Sequence, residues 1–328
     1  MTARVYVETH SGRYCFVAAL VATGLLTGCS LMPETKPESD KQVIDLSVQF
    51  EGMSTEEIVK AGDSAFLMGD YDRAEFIFNQ AVVIDDVAAN WLKLGETLVR
   101  LGKTPYAGQA FQATIQLDPE NAVAYEQLGI LYIGVRQVAI AREHLYRAIE
   151  IDDSRWAAHN ALGVLADTER DYLMAIKHYE AALKYDPGSA KVLTNLGYSY
   201  YLSGELDVAE NLFLDAIRSD STHERAISNL GLIYARRGKY DDAVEILRRV
   251  TPRPRALNDV GYVAFSNGDL DAAAFMLSEA IRISPSYYET ANENLERVER
   301  ARQREVATIV EDAEPVELTE VADAAEAM

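Results

Sequence analysis

The chain of 328 residues is short of cysteine, histidine, proline and positive charge. Two cysteines exclude a disulfide framework, and with five histidines they leave little material for a zinc site. Nine prolines exclude a collagen-like chain. Lys and Arg number 31 against 52 Asp and Glu, for a net charge of −21. That balance argues against nucleic-acid binding, which needs cations to displace phosphate counterions. There is no phosphate-cradling glycine loop, no Rossmann glycine pattern, no HExxH and no nucleophile elbow, so the reading is a non-enzymatic protein without a cofactor or a metal. What remains is 48% hydrophobic and 25% charged, enough to bury a core.

The N-terminus carries a targeting pattern. Arg4 and Arg13 give a basic start, and Tyr14 to Leu26 is an uncharged apolar run. A spanning helix needs about 20 apolar residues, so this run has the length of a signal-peptide core. It ends in Leu26-Thr27-Gly28-Cys29-Ser30, which resembles the bacterial lipobox. The resemblance implies cleavage of residues 1–28 and diacylation of Cys29, with more than one chain making the anchor stable. Cys15 falls in the removed segment. Ser30 after the cysteine implies delivery to the outer membrane, facing the periplasm. Residues 29–52, with Pro33 and Pro37, read as a flexible tether.

Glycines recur at Gly62, Gly95, Gly129, Gly163, Gly197, Gly231 and Gly261, at spacings of 33, 34, 34, 34, 34 and 30. A fixed period near 34 predicts a solenoid. Twelve residues after each glycine stands alanine, from Ala74 to Ala273. Sixteen after it stands a large apolar residue: Phe78, Phe111, Leu145, Tyr179, Phe213, Leu247 or Leu277. These intervals have helical spacing and predict antiparallel helix pairs in close contact, with Gly163 opposite Ala175. Gly69, Gly102, Gly204, Gly238 and Gly268 fall seven after the first glycine, where the turn needs a flexible backbone. Thr104-Pro105 reads as an N-cap followed by a proline in the first turn. Pro119, Pro187 and Pro285 close units.

Trp91-Leu92-Lys93-Leu94-Gly95 and Asn195-Leu196-Gly197-Tyr198 are close to the signature of the tetratricopeptide repeat, which this pattern resembles from about Thr55 to Pro285. The resemblance implies an all-α, right-handed solenoid of about seven helix pairs over residues 53–310. Tyr288, Ala291, Leu295 and Val298 predict a C-terminal capping helix, with weak Glu293–Arg297 and Glu296–Arg300 pairs. Residues 311–328, acidic and without Lys or Arg, read as a disordered tail. The short spacing before Gly261, with Pro252 and Pro254 at the join, reads as a tolerated deletion or a specialised groove end.

In such repeats the first helix of each pair lines a concave groove. That implies groove positions one, four and five after the glycine and three and six before it, among them Tyr198, Tyr201, Leu232, Tyr262 and Phe265. Either the units bury these side chains between them or they form a face for an apolar or amphipathic peptide. Six before the glycine, Lys191, Arg225 and Arg255 are consecutive cations in the first turn of their helices, against the macrodipole, and Arg236 joins them. They are solvated surface or the contact for an anionic partner. His144 and His178 share a repeat position and read as outer-surface residues. Asp85-Asp86 and Asp152-Asp153 read as turn residues. The whole resembles outer-membrane tetratricopeptide lipoproteins of pilus and secretion machines, of the TadD or PilF-like pilotin kind. That implies a lipid-anchored protein of the bacterial cell envelope that binds a secretin or pilus-assembly component. The alternative is a general periplasmic scaffold resembling NlpI, recruiting cell-wall hydrolases or proteases.

Overall fold

The computed structural model describes Phe50 and residues 52–312. The Cys29 signal, nearly all of the tether and residues 313–328 lie outside the described residues. Within them the chain is entirely helical, with no strand. Seven pairs follow one another: α1 (Thr55–Leu67) with α2 (Tyr71–Ile84), α3 (Ala88–Arg100) with α4 (Thr104–Leu117), α5 (Ala122–Gly134) with α6 (Val138–Ile151), and α7 (Trp156–Thr168) with α8 (Tyr172–Tyr185). Then come α9 (Ala190–Ser203) with α10 (Leu206–Ser219), α11 (Glu224–Arg236) with α12 (Tyr240–Leu247), α13 (Arg253–Ser266) with α14 (Leu270–Ile283), and a last helix α15 (Glu289–Asp312).

Local chemistry starts the helices. Ser54 forms a capping box with Glu57 at α1, and the Asp70, Asp171 and Asp269 carboxylates accept from backbone N–H groups at α2, α8 and α14. At α4 the cap is Lys103, without a side-chain bond; Thr104 is already helical, one residue earlier than its N-cap pattern suggests. Pro105 keeps its place in the first turn.

The repeat glycines make room for the large residue sixteen positions on. A Cβ at Gly163 would stand 2.6 Å from a ring carbon of Tyr179, and one at Gly62 would stand 2.6 Å from Phe78. Tyr179, rather than Ala175, therefore lies against Gly163: the ring crosses from α8 and uses the bare backbone of α7 as its floor. Ala175 is itself fully buried beside it. The turn glycines take positive φ, from 70° at Gly102 to 93° at Gly204. In units three and four, Arg136 and Arg170 hold the same left-handed conformation, with φ of 60° and 63°.

From α5 onward each first helix also packs on the next first helix, whereas successive second helices make no comparable contact among the described residues. The closer spacing places first helices on the inside of the curve. α15 enters as an eighth first helix. Asn294 Nδ2 donates to Asn258 Oδ1 at 3.1 Å, as Asn195 Nδ2 donates to Asn160 Oδ1 at 2.9 Å. Ala291 and Val298 are fully buried. The expected Glu293–Arg297 and Glu296–Arg300 pairs do not form; the ion pair of α15 with its neighbour is Arg302 with Asp271. The helix reaches Asp312, so Glu311 and Asp312 are helical rather than the start of the tail.

Candidate functional site

The inner face of units five to seven gathers most of the predicted groove residues. Tyr198 on α9 is 38% exposed and Tyr262 on α13 is 49% exposed, large apolar surfaces left open to solvent. Tyr198 stacks on Tyr201, ring centres 6.0 Å apart, and the Arg236 guanidinium of α11 lies 5.6 Å from the Tyr201 ring centre. These three side chains form one aromatic and cationic group across two units. Tyr201 and Phe265 are half-buried and share in the core, Phe265 against Ala264, Leu277 and Val298. Ala235 is buried outright. The inner positions therefore divide: some are core, while the tyrosines of units five and seven form a surface.

Lys191 and Arg225 are exposed and carry no ion pair, and Arg255 meets Asp259 only at 3.9 Å. Burial pushes the Asp259 carboxyl above its ordinary range, opposed by Asn258 and Arg255. Between α11, the end of α12 and the start of α13 opens a cavity of about 310 Å³. Leu232, Leu247, Val260 and Val263 line it, with Arg255 and Asp259 beside them. The Thr251 hydroxyl oxygen, also in the wall, is buried without a hydrogen-bond partner. The cavity has a sequence cause. Spacing 30 shortens α12 to 8 residues, where most other second helices have 14, and Pro252 then starts α13 at once. The short spacing thus leaves an open cavity at the join.

Other polar groups, not singled out by the repeat pattern, tie the middle units. Glu126 on α5 is 2% exposed; its carboxylate accepts from Arg155 Nη2 at 2.5 Å, from Arg155 Nε at 3.2 Å and from the Ala158 amide at 3.1 Å. It is the one charged residue of α5, a signal present in the sequence. Asp167 stands at a groove position yet turns inward, accepting from Tyr179 Oη at 2.8 Å and Ser199 Oγ at 2.7 Å. Burial pushes its carboxyl up, and burial with the neighbouring Asp167 charge pushes the Tyr179 phenol far above its usual range.

His144 and His178 do not meet. His144 stacks on Tyr132 at 5.4 Å, whereas His178 lies 5.8 Å from the His159 ring. Both lie on second helices and are half-buried, and burial lowers the His178 pKa to about 4. Among the described residues no group of three or more His, Cys, Asp or Glu is placed to hold a metal ion. The acidic pairs serve turns: Asp86 accepts from Trp91 Nε1 at 2.6 Å, and Asp152 accepts from the Ser154 amide at 3.0 Å. No helix among the described residues is long and apolar enough to cross a membrane.

A family model described as tetratricopeptide repeat matches residues 126–190, 166–224, 194–253 and 228–288. No curated protein sequence matches. Several solved structures share the fold. The C-terminal part of a repeat-containing protein from Cytophaga hutchinsonii is 16% identical with a TM-score of 0.55, covering 72% of this chain and 99% of that one. A tetratricopeptide repeat protein from Parabacteroides merdae is 18% identical with a TM-score of 0.52, covering 75% and 99%. The pilF protein of Pseudomonas aeruginosa is 17% identical with a TM-score of 0.52, covering 66% and 98%. At these identities the likeness is one of fold. Such repeats are generally non-catalytic scaffolds that bind proteins or peptides. With its seven glycine-floored helix pairs and capping α15, the chain folds as a tetratricopeptide-repeat solenoid.

Proposed function

We propose that the protein is a membrane-anchored docking scaffold whose inner face in units five to seven holds a protein partner in pilus or secretion-system assembly. One observation carries the reading. In a chain of net charge −21, the exposed Tyr198 and Tyr262, the unpaired Lys191 and Arg225 and the loosely paired Arg255 collect on one face of three consecutive first helices. Tyr198, Tyr201, Tyr262 and Phe265 serve as anchors, with Leu232 between them. Lys191, Arg225, Arg236 and Arg255 steer an acidic segment. Aromatic anchors set the dissociation rate through the area they bury, whereas open cations act on association and its salt dependence.

The anchor and the system are finer parts of the same proposal. The Leu26-Thr27-Gly28-Cys29 run supports acylation at Cys29 and an outer-membrane location facing the periplasm. The resemblance to TadD and PilF-like lipoproteins supports a secretin or another assembly component as partner.

Photo-crosslinking residues at positions 198 and 262, in membranes of the native cell, should trap one protein species. The same residue at Phe275, exposed on the second helix α14, should trap none of it. Tyr198→Ala with Tyr262→Ala should weaken capture at least tenfold while the helical circular-dichroism signal stays unchanged. Arg225→Glu with Arg255→Glu should mainly slow association. Equal trapping at all three positions would place the partner elsewhere. Cys29→Ala should abolish acyl labelling and release the protein from the membrane fraction; persistent labelling would refute the anchor.

A further inference from the structure

Two successive turns stand apart from the acidic remainder of the chain. Residues 99–106, around the α3–α4 turn, and residues 133–142, around the α5–α6 turn, hold Arg100, Lys103, Arg136 and Arg142 and no Asp or Glu. Apolar side chains stand open among these cations: Tyr106, Val135 and Ile140 are exposed. On the turn before them Leu67 and Met68 are 86% and 84% exposed, and just after the next turn Leu173 is exposed as well. Contacts between neighbouring units align these turns along one edge of the array. Arg100 lies 5.9 Å from the Phe66 ring centre, Lys103 reaches Glu75 at 2.5 Å, and Arg142 reaches Glu169 at 2.5 Å.

Arg136 and Arg170 add an independent observation. They hold φ of 60° and 63° at a turn position where the other five units place glycine. A side chain there crowds the carbonyl that follows it, so each arginine is kept at a conformational cost. Both side chains are nevertheless exposed, and neither forms an ion pair or a hydrogen bond among the described residues. Arg100 is exposed and without an ion pair too. The flanking acids are already engaged. Glu75 and Glu169 hold Lys103 and Arg142, and Asp72 acts electrostatically on Lys103. Asp70 and Asp171 accept from the Arg73 and Met174 amides at helix N-termini, where the macrodipole opposes their charge. Three guanidinium groups on this edge therefore face outward without an acid of their own.

We propose that the turn edge of units two to four lies on an anionic phospholipid bilayer, with Arg100, Arg136 and Arg170 on headgroup phosphates and Tyr106, Val135 and Leu173 entering the interface. The apolar side chains stand singly at successive turns between cations. That pattern suits a fluid surface, where each tip enters without a shaped counterpart. A chain of net charge −21 is repelled by such a surface as a whole, so the attraction has to be local to this edge. The proposal rests on reading the protein as a membrane scaffold; it adds which edge meets the lipid and leaves the inner face of units five to seven to the partner. Each cation beside an anionic surface strengthens binding about fivefold at low salt.

Residues 52–328 form a compact unit of their own, with all fifteen described α-helices and no cysteine. A chain of these residues lacks Cys29, so it tests the edge without the anchor. It should sediment with vesicles of phosphatidylcholine containing about 30% phosphatidylglycerol. Binding should fall at least about tenfold on phosphatidylcholine alone, or when salt rises from about 0.05 M to about 0.5 M. Arg136→Gly with Arg170→Gly should weaken binding at least about tenfold while the fold is kept, because glycine suits both turns. Arg218→Gln with Arg282→Gln removes the same charge from exposed sites on α10 and α14 and should change binding less than about twofold. A polarity-sensitive dye on Val135→Cys should shift to the blue on the anionic vesicles, whereas the same dye on Phe275→Cys, exposed on α14, should not. Absence of binding to anionic vesicles at low salt overturns the proposal and leaves the edge to an acidic protein segment. Equal losses in the two double variants also overturn it, since the attraction is then general. So does a dye that stays unshifted at position 135 or shifts equally at 275, since another face then meets the lipid. None of these outcomes bears on the docking face or the anchor: crosslinking at positions 198 and 262 and acyl labelling at Cys29 read those by themselves.

Discussion

Arg155 and Arg255 both stand near the start of a first helix, α7 and α13, and their surroundings differ. Arg155 closes on the buried Glu126 of the preceding unit, and the same carboxylate accepts the Ala158 amide. Arg255 is 69% exposed at its side chain and meets Asp259 at 3.9 Å. The difference lies one unit back. Three residues before the repeat glycine, unit three carries Glu126, whereas unit six carries Ser228, which lines the cavity. The middle units thus turn their polar groups inward, through Glu126 with Arg155 and Asp167 with Tyr179 and Ser199. Units five to seven leave the cations Lys191, Arg225 and Arg255 on the surface. One repeat scaffold builds stiffness in one stretch and a contact face in the next by changing side chains that the helix-packing pattern does not constrain.

Breaking the inward ties should show the contrast at its largest. Glu126→Ala removes the partner of Arg155 and leaves the Ala158 amide buried without an acceptor. Loss of one side of a buried pair costs about 3–5 kcal/mol, and the partial exposure of Arg155 brings the expected loss to about 3 kcal/mol. Arg255→Ala should change stability by no more than about 0.5 kcal/mol. Urea unfolding followed by circular dichroism compares them; similar losses would mean that the two arginines are equivalent after all.

The repeat glycines sharpen the comparison at a smaller scale. At Gly163 an added methyl meets the Tyr179 ring at 2.6 Å, and that ring is pinned through its hydroxyl to Asp167. At Gly261 the nearest atom is 2.9 Å away, on the flexible Leu277. Gly163→Ala should therefore cost about 2 kcal/mol even after its gain in helix propensity. Gly261→Ala should cost less than half as much, because Leu277 can change rotamer. Thermal melts of the two variants separate these outcomes.

The middle units should also be the acid-sensitive ones. His178 has its pKa lowered to about 4 in the fold, from an ordinary 6.5, chiefly by burial and then by the neighbouring His159. A depressed base binds its proton better when unfolded, so stability falls as pH drops from about 6.5 and levels off near 4. His159 and His144 are lowered in the same direction, and Asp153 and Lys184 act on His159 with opposite sign. Allowing for the partial solvent exposure of the ring, His178 contributes about 1–2 kcal/mol to that loss. His178→Phe should flatten the dependence of Tm on pH between 6.5 and 4.5, before most carboxylates titrate. An unchanged slope would show that the ring is hydrated in solution.

Much of this fold is legible in the sequence, because its period is dictated by packing. Each unit must place a glycine under a large side chain, and the glycine recurs wherever a pair forms. The inner face is only partly legible. Tyr198 and Tyr262, one after their repeat glycines, are exposed, but Asp167, four after the glycine of unit four and equivalent to Tyr201, folds back onto Tyr179 and Ser199. Position along a repeat fixes direction, not partner. Glu126 and the cavity left weaker traces, a lone charge in an apolar helix and a missing turn before Pro252. Neither trace names what it faces, since that depends on residues about 30 positions away.

The smallest expected effect concerns the turns, where the two regions also part. Units five, six and seven place Gly204, Gly238 and Gly268 in the left-handed conformation, whereas units three and four place Arg136 and Arg170 there. A side chain in that region crowds the carbonyl that follows it, at about 1 kcal/mol per residue, and glycine avoids that crowding. Neither arginine forms an ion pair among the described residues, so replacement loses no charged partner. Arg136→Gly and Arg170→Gly should each stabilise the protein by about 0.5–1 kcal/mol, after the greater freedom of glycine in the unfolded chain is set against the relief. Because the two turns lie a full unit apart, the double variant should show nearly the sum. A fall in Tm on either change would mean that the arginine side chain makes a contact worth more than the strain it imposes. The middle units would then owe part of their stiffness to their turns as well as to their buried carboxylates.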